Sequence, residues 1–133
     1  MNYGGYASDY VVDYDYLVPI PAGTDLARMA PLLCGGITVY TPLKRFKVGS
    51  GTTLCVLGMG GLGHLAIQFA SAMGARVIVA SRSEAKRADA SRLGAEVALD
   101  PGSEDFQAWM GQVDLILDTI SNPHDLNRWF PLL

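Results

Sequence analysis

Cysteine is scarce in this chain. Cys34 and Cys55 are the only two among 133 residues, far too few for a disulfide scaffold. One bridge between them fits the count, but a reducing compartment is the expectation. Histidine is equally sparse, at His64 and His124, and no C-x-x-C pair occurs, so the spacing completes no metal site. Charge is low, 17% of residues, with a net charge of −3. That balance points to no nucleic acid or acidic membrane surface as partner. Long apolar runs are missing too. The most hydrophobic stretch, 54–73, is broken by Gly58, Gly60, Gly61 and Gly63 and carries His64 and Gln68, which argues against a membrane span. Residues 1–6 hold neither a basic patch nor an apolar run, so no targeting segment and a cytoplasmic setting are expected.

What remains is apolar. Half of the residues are hydrophobic and the mean hydropathy is +0.22, enough to build a core. The length suggests one domain. A turn at Val48–Gly51 divides a mixed pattern from an alternating one. Before it, the Tyr- and Val-rich stretch Ala7–Val18 predicts two short strands around a turn at Asp13–Asp15. Thr24–Asp25 then predicts a helix cap for a short helix towards Ala30. A second helix is expected over Gly35–Phe46, kinked at Pro42.

After the turn, strands are predicted at 53–57, 76–80, 96–99 and 113–118. Helices are expected from Leu62 to Met73, from Ser83 to Leu93, through Phe106–Met110, and from Pro123 to Leu132. Met73-Gly74-Ala75-Arg76-Val77 is echoed by Leu93-Gly94-Ala95-Glu96-Val97 and in outline by Met110-Gly111-Gln112-Val113. Each copy pairs a helix-ending glycine with a strand start. Repeated strand–helix units with buried strands imply an α/β, doubly wound parallel sheet of the Rossmann type.

Gly58-Met59-Gly60-Gly61-Leu62-Gly63 fits G-x-G-x-x-G. The pattern alone is weak; its place between a predicted strand and a predicted helix makes it strong. Gly58 permits the tight turn, Gly60 lets backbone approach a pyrophosphate, and Gly63 lets helix and strand pack closely. The competing reading is a glycine-rich turn without a ligand.

The second strand selects the coenzyme. An NAD site places an acid near its end to bond the ribose hydroxyls. Here the strand runs into Ser81-Arg82-Ser83, with Lys86 following. Two cations and two hydroxyls suit a 2′-phosphate, so NADP is favoured over NAD. Alternatively Ser83 only caps a helix while Arg82 and Lys86 are solvated, and Glu84 could face a ribose. The missing acid also argues against a methyltransferase. The Lys-Ser/Thr pair of a nucleoside-triphosphatase loop is absent as well. His64 reads as helix surface or packing. Asp114 and Asp118 fit a turn role as well as a ribose contact, and His124 and Trp129 fit the last amphipathic helix.

Cys34 precedes a helix, where a small buried residue is the common case and a thiolate the reactive one. In the company of Gly4-Gly5-Tyr6-Ala7, Pro31 to Tyr40, Val56 to His64, Ser81 to Arg87 and Asp114 to Thr119, it resembles the medium-chain zinc alcohol dehydrogenases. The similarity is greatest to their cinnamyl-alcohol-dehydrogenase branch. The resemblance implies that Cys34 is one ligand of a catalytic zinc. Thr38 and Leu62 would line the nicotinamide end, with Gly58, Gly60, Gly61 and Gly63 at the phosphates. Ser81, Arg82, Ser83 and Lys86 would meet the 2′-phosphate, and Thr119 and Ile120 would border the groove. It divides the chain into a remnant of a GroES-like catalytic domain (1–22), connecting helices (23–48) and an incomplete NADP-binding domain (49–133).

The family's other zinc ligands, structural zinc site and proton relay have no counterpart here. Two expected further strands are missing as well, so a fragment of about four strands is expected. That fragment should show little alcohol or aldehyde turnover alone, because a catalytic zinc needs three protein ligands. The other reading is a non-catalytic NADP(H)-binding module or sensor. Val113–Asp118, left without its neighbours, would be an apolar edge prone to self-association.

Overall fold

The computed structural model describes residues 5–133. Met1–Gly4, including the first residue of the Gly4–Ala7 segment, lie outside the described residues.

Four strands form one parallel sheet: β1 (Thr53–Leu57), β2 (Arg76–Ala80), β3 (Val97–Leu99) and β4 (Leu115–Asp118), in the order β3-β2-β1-β4. β1 is central, pairing Leu54 with Val77 on one side and with Leu115 on the other. Side chains alternate across a strand, so β1 feeds two cores. Leu54 and Val56 join one cluster; Cys55 and Leu57 join the other.

The helices explain the first cluster. α2 (Gly35–Arg45), α3 (Gly61–Ala72) and α4 (Glu84–Ala90) contribute Val39 and Leu43, Ala66, Ile67 and Ala70, and Ala90. The apolar period of the 61–72 stretch thus buries one face. α2 lies along α3, with the Tyr40 and Phe69 rings edge-on at 6.0 Å. The second cluster is covered by short turns carrying Phe106, Trp129 and Leu132. Phe106 and Trp129 meet edge-to-face at 5.6 Å.

Local signals set the element ends as expected. Asp25 caps α1 (Leu26–Met29), its side chain accepting from the Ala27 and Arg28 amides. Ser83 caps α4 through the Lys86 amide. Gly74 and Gly94 terminate their helical stretches at φ 87° and 105°, where a side chain would be strained. Pro42 sits inside α2, which continues to Arg45. Cys34 and Cys55 are both free thiols, the first exposed and the second buried.

Several expectations fail. Ala7–Val18 forms no strand; it holds one 3-10 turn at Tyr14–Tyr16, closed by the Asp15 amide donating to Asp13 Oδ1. Val11, Tyr14, Tyr16 and Val18 are exposed. β-branched and aromatic residues favour strands when they fit a half-buried pleated surface, and among the described residues this stretch joins no sheet. The stretch expected as a helix through Phe106–Met110 is a 3-10 segment, Glu104–Trp109. The helix expected from Pro123 to Leu132 is instead two 3-10 turns, Leu126–Arg128 and Phe130–Leu132. Pro131 cannot donate within a helix, and the Leu132 and Pro131 carbonyls accept from Val113 and Gly111.

Candidate functional site

α3 and α4 pack on one face, while the link from β3 to β4 runs over the other with Phe106. The sheet therefore reverses its winding between β1 and β4, and crevices at such switch points hold ligands in open α/β sheets. A cleft of about 510 Å³ opens there. It gathers the residues that follow three strands: Gly58, Met59 and Gly60 after β1, Ser81, Arg82, Ser83 and Lys86 after β2, and Thr119 and Ile120 after β4.

The glycine turn is built from close contacts. Gly58 has φ 80°, so a side chain there would be strained. A Cβ on Gly63 would lie 2.2 Å from the Gly58 carbonyl oxygen, whereas Gly60 and Gly61 face open space. Thr119 locks the turn from β4, its hydroxyl donating to the Leu57 oxygen at 2.8 Å and reaching the Gly58 oxygen at 3.2 Å. The first intrahelical bond of α3 runs from His64 N–H to the Gly60 oxygen. The amides of Gly61, Leu62 and Gly63 precede it, at the positive end of the helix dipole.

The loop after β2 is held firmly. The Ser81 amide donates to Leu99 O at 3.0 Å, and Ser81 Oγ accepts from the Ser83 amide at 3.3 Å. Ser81 is buried. Arg82 and Lys86 are exposed and form no ion pair among the described residues. Glu84 does not line the cleft.

The other candidates sit elsewhere. Gly61, Leu62 and Gly63 lie beside the cleft on α3 but do not line it. Cys34 caps α2 without a side-chain bond, and its carbonyl accepts from the Thr38 hydroxyl at 2.7 Å. A Cβ on Gly35 would lie 3.2 Å from Leu65 and 3.6 Å from Leu62, so Cys34 and Thr38 sit by the start of α3, outside the cleft. No group of three His, Cys, Asp or Glu side chains able to hold a metal occurs among the described residues. Burial pushes the Cys55 thiol up from 9.0 to about 12, which removes it as a ligand or nucleophile. His64 stays local, its Nδ1 3.3 Å from the Gly60 oxygen. Asp114 ties the approach of β4 to the start of β1, accepting from the Thr53 amide at 2.7 Å.

The sequence reading missed the wall formed by Pro101, Asn122, His124, Asp125, Arg128 and Trp129. His124 Nδ1 lies 2.8 Å from the Asn122 oxygen. Its Nε2 stands 2.9 Å from Asp118 Oδ2, close enough for an ion pair when protonated but not aligned as a hydrogen bond. Trp129 is buried, and its Nε1–H meets no acceptor among the described residues. The available signal was Pro123, five residues after the end of β4, which itself lines the cleft.

Known proteins share this architecture. Residues 61–133 match the family described as zinc-binding dehydrogenase. The chain is 46% identical over 135 residues to a probable formaldehyde dehydrogenase of Bacillus subtilis, and equally so to NADP-dependent alcohol dehydrogenase C 1 of Mycolicibacterium smegmatis. Each match covers 99% of this chain and 38% of the relative, so the chain spans well under half the length of either. A cinnamyl alcohol dehydrogenase structure from Sorghum bicolor superposes with a TM-score of 0.87 at 40% identity, covering 92% of this chain and 35% of that one. The structure of CAD from Helicobacter pylori complexed with NADP(H) gives 0.82 at 41%, covering 92% and 34%. The glycine turn, the switch-point cleft and these matches agree: the chain belongs to the zinc-binding dehydrogenase family.

Proposed function

We propose that the cleft binds NADP(H), and that the chain is the coenzyme-binding part of a cytoplasmic NADP(H)-dependent alcohol dehydrogenase or aldehyde reductase. In this reading residues 1–22 belong with a GroES-like catalytic lobe, 23–48 connect, and 49–133 carry the coenzyme. The observation that supports it best is the end of β2. Where an NAD site offers an acid, this loop offers Ser81, Arg82, Ser83 and Lys86, all lining the cleft. Cations and hydroxyl donors complement a phosphate ester. The open space at Gly60 admits a diphosphate against backbone, the start of α3 lies beside it, and Thr119 and Ile120 line the same cleft. The names of the relatives, NADP-dependent alcohol dehydrogenase among them, support the same reading.

When bound, the nicotinamide of such a coenzyme exchanges a hydride with an alcohol or aldehyde. In this reading this chain's residues bind and orient the coenzyme. Zinc fits less well. Cys34 would be one ligand, with Thr38 and Leu62 nearby at the nicotinamide end, but the described residues supply no companions and a catalytic zinc needs three. No step is therefore assigned to a metal. That lack favours a second reading of the isolated chain, as an NADP(H)-binding module without turnover.

Calorimetric titration tests the proposal. NADP should bind at least tenfold more tightly than NAD, and zinc, NADPH and an aromatic aldehyde together should give negligible turnover. Equal binding of the two coenzymes removes the NADP assignment, and robust zinc-dependent turnover removes the claim of inactivity. β4 is an outer strand of the sheet, and unpaired edges recruit other chains. Self-association through β4 belongs to the proposal; a strictly monomeric sedimentation profile at high concentration would contradict it.

A further inference from the structure

An acid does stand near the coenzyme loop, but it arrives from the neighbouring strand. Asp100 follows β3, and the next residue, Pro101, is buried and lines the cleft. The Ser81 amide bonds Leu99 O, so the exits of β2 and β3 lie side by side. Both Asp100 oxygens are engaged: Oδ1 accepts from the Gly102 amide at 2.8 Å, and Oδ2 from Arg87 Nη1 at 3.1 Å. The same Arg87 nitrogen donates to the Ser81 carbonyl at 2.7 Å. The Arg87 side chain is 21% exposed and that of Asp100 40%. Neither lines the cleft; both stand just behind its wall.

We propose that Arg87 is a specificity-positioning residue: by engaging Asp100 and the Ser81 carbonyl together, it sets the cleft's preference for a phosphorylated ribose. This rests on the reading of the cleft as a dinucleotide site. A carboxylate near the adenosine ribose favours free hydroxyls and repels a phosphate dianion, which is how NAD sites select their coenzyme. Here the guanidinium neutralises that carboxylate locally. It also occupies the carbonyl of Ser81, a residue that lines the cleft. Arg87 therefore does not contact the coenzyme; Arg82 and Lys86 supply the attraction, and Arg87 removes the opposing charge. Without it, the Asp100 carboxylate is left without its cationic partner, across the short distance set by the Ser81–Leu99 pairing. Inspecting the end of β2 for an acid overlooks this, because the acid belongs to β3.

The test is a double-variant cycle on the full chain, titrating NADP and NAD into the unmodified protein, Arg87→Met, Asp100→Asn and the combination. Arg87→Met should weaken NADP at least tenfold while changing NAD less than threefold. Asp100→Asn alone should keep or raise the NADP preference, and the combined variant should recover most of what Arg87→Met loses. A combined variant as poor in NADP preference as Arg87→Met overturns the masking role, as do equal losses for both coenzymes in Arg87→Met. If Arg87→Met does not fold, Asp100→Asn decides the matter, since a reduced NADP preference in that variant contradicts masking. Binding of neither coenzyme by the unmodified chain overturns the dinucleotide reading and this inference with it. NADP-selective binding with a failed cycle overturns this inference alone.

Discussion

The glycine turn separates folding from binding, and three alanine substitutions should show it. At Gly63 an added Cβ would sit 2.2 Å from the Gly58 oxygen, 3.0 Å from Thr119 Oγ1 and 3.1 Å from the Gly58 carbonyl carbon. That is roughly 1 Å inside ordinary contact, and the obstacle is backbone, so no rotamer change relieves it. α3 must move off β1, loosening Thr119's bonds to the turn. Overpacking of this kind costs about 3 kcal/mol or more. At a slope of about 1.5 kcal/mol per molar urea, the unfolding midpoint falls by about 2 M. Gly60→Ala meets nothing within 4 Å, and its φ of −95° suits alanine. Its stability should stay within about 0.5 kcal/mol of the unmodified chain, while NADP affinity falls at least tenfold because the methyl fills the space proposed for the diphosphate. Gly61→Ala, also in open space at the first position of α3, should gain about 0.5–1 kcal/mol by restricting the unfolded chain. Urea titrations with coenzyme calorimetry measure both quantities. An unchanged midpoint for Gly63→Ala, or full affinity in Gly60→Ala, would refute the reasoning.

Three further outcomes follow from the core and from one turn. Cys34 should react with a thiol reagent in the folded chain and Cys55 only on unfolding, so the count should rise from one to two in denaturant; two at once would contradict the burial of Cys55. Its thiol is raised from 9.0 to about 12, so between those values the folded chain holds a proton that the unfolded chain has lost. Stability should therefore fall as pH rises above about 9, by up to about 1.4 kcal/mol per pH unit from this group, and Cys55→Ala should flatten that slope. Lys47 holds φ 54°, a left-handed conformation costly for a residue with a Cβ. Lys47→Gly should raise stability by about 0.5 kcal/mol after glycine's entropic cost, read as a higher melting temperature; a lower one would contradict the argument.

The strands that carry the site were legible because they are buried on both faces. Thr53–Leu57 and Arg76–Ala80 read as continuous apolar runs and form at those bounds, as parallel strands do. Capping was legible for the same local reason, at Asp25 and Ser83. Where the outcome depended on distant partners, sequence was mute. The 7–18 stretch has strand-forming residues, yet among the described residues it joins no sheet. The 123–132 stretch has an amphipathic look, yet its carbonyls serve Gly111 and Val113 and its His124 and Trp129 face the cleft. That Ser81, Arg82, Ser83 and Lys86 belong together was readable along the chain, and all four line the cleft. Its tie to Asp100 was not, since that contact exists only once β3 lies beside β2.

The central place of β1 has a consequence for synthesis. Its first partner, β2, follows after one helix, so that pairing closes a short loop and can form early. Its second partner is far away: Leu54 meets Leu115, and the Thr53 amide waits for Asp114. During N-to-C emergence from a ribosome, the central strand therefore has one flank bare until Asp114, 61 positions beyond Thr53, has followed. The last wall of the cleft, from Thr119 to Trp129, arrives later still. Coenzyme capture thus reports completion of this fold rather than its onset.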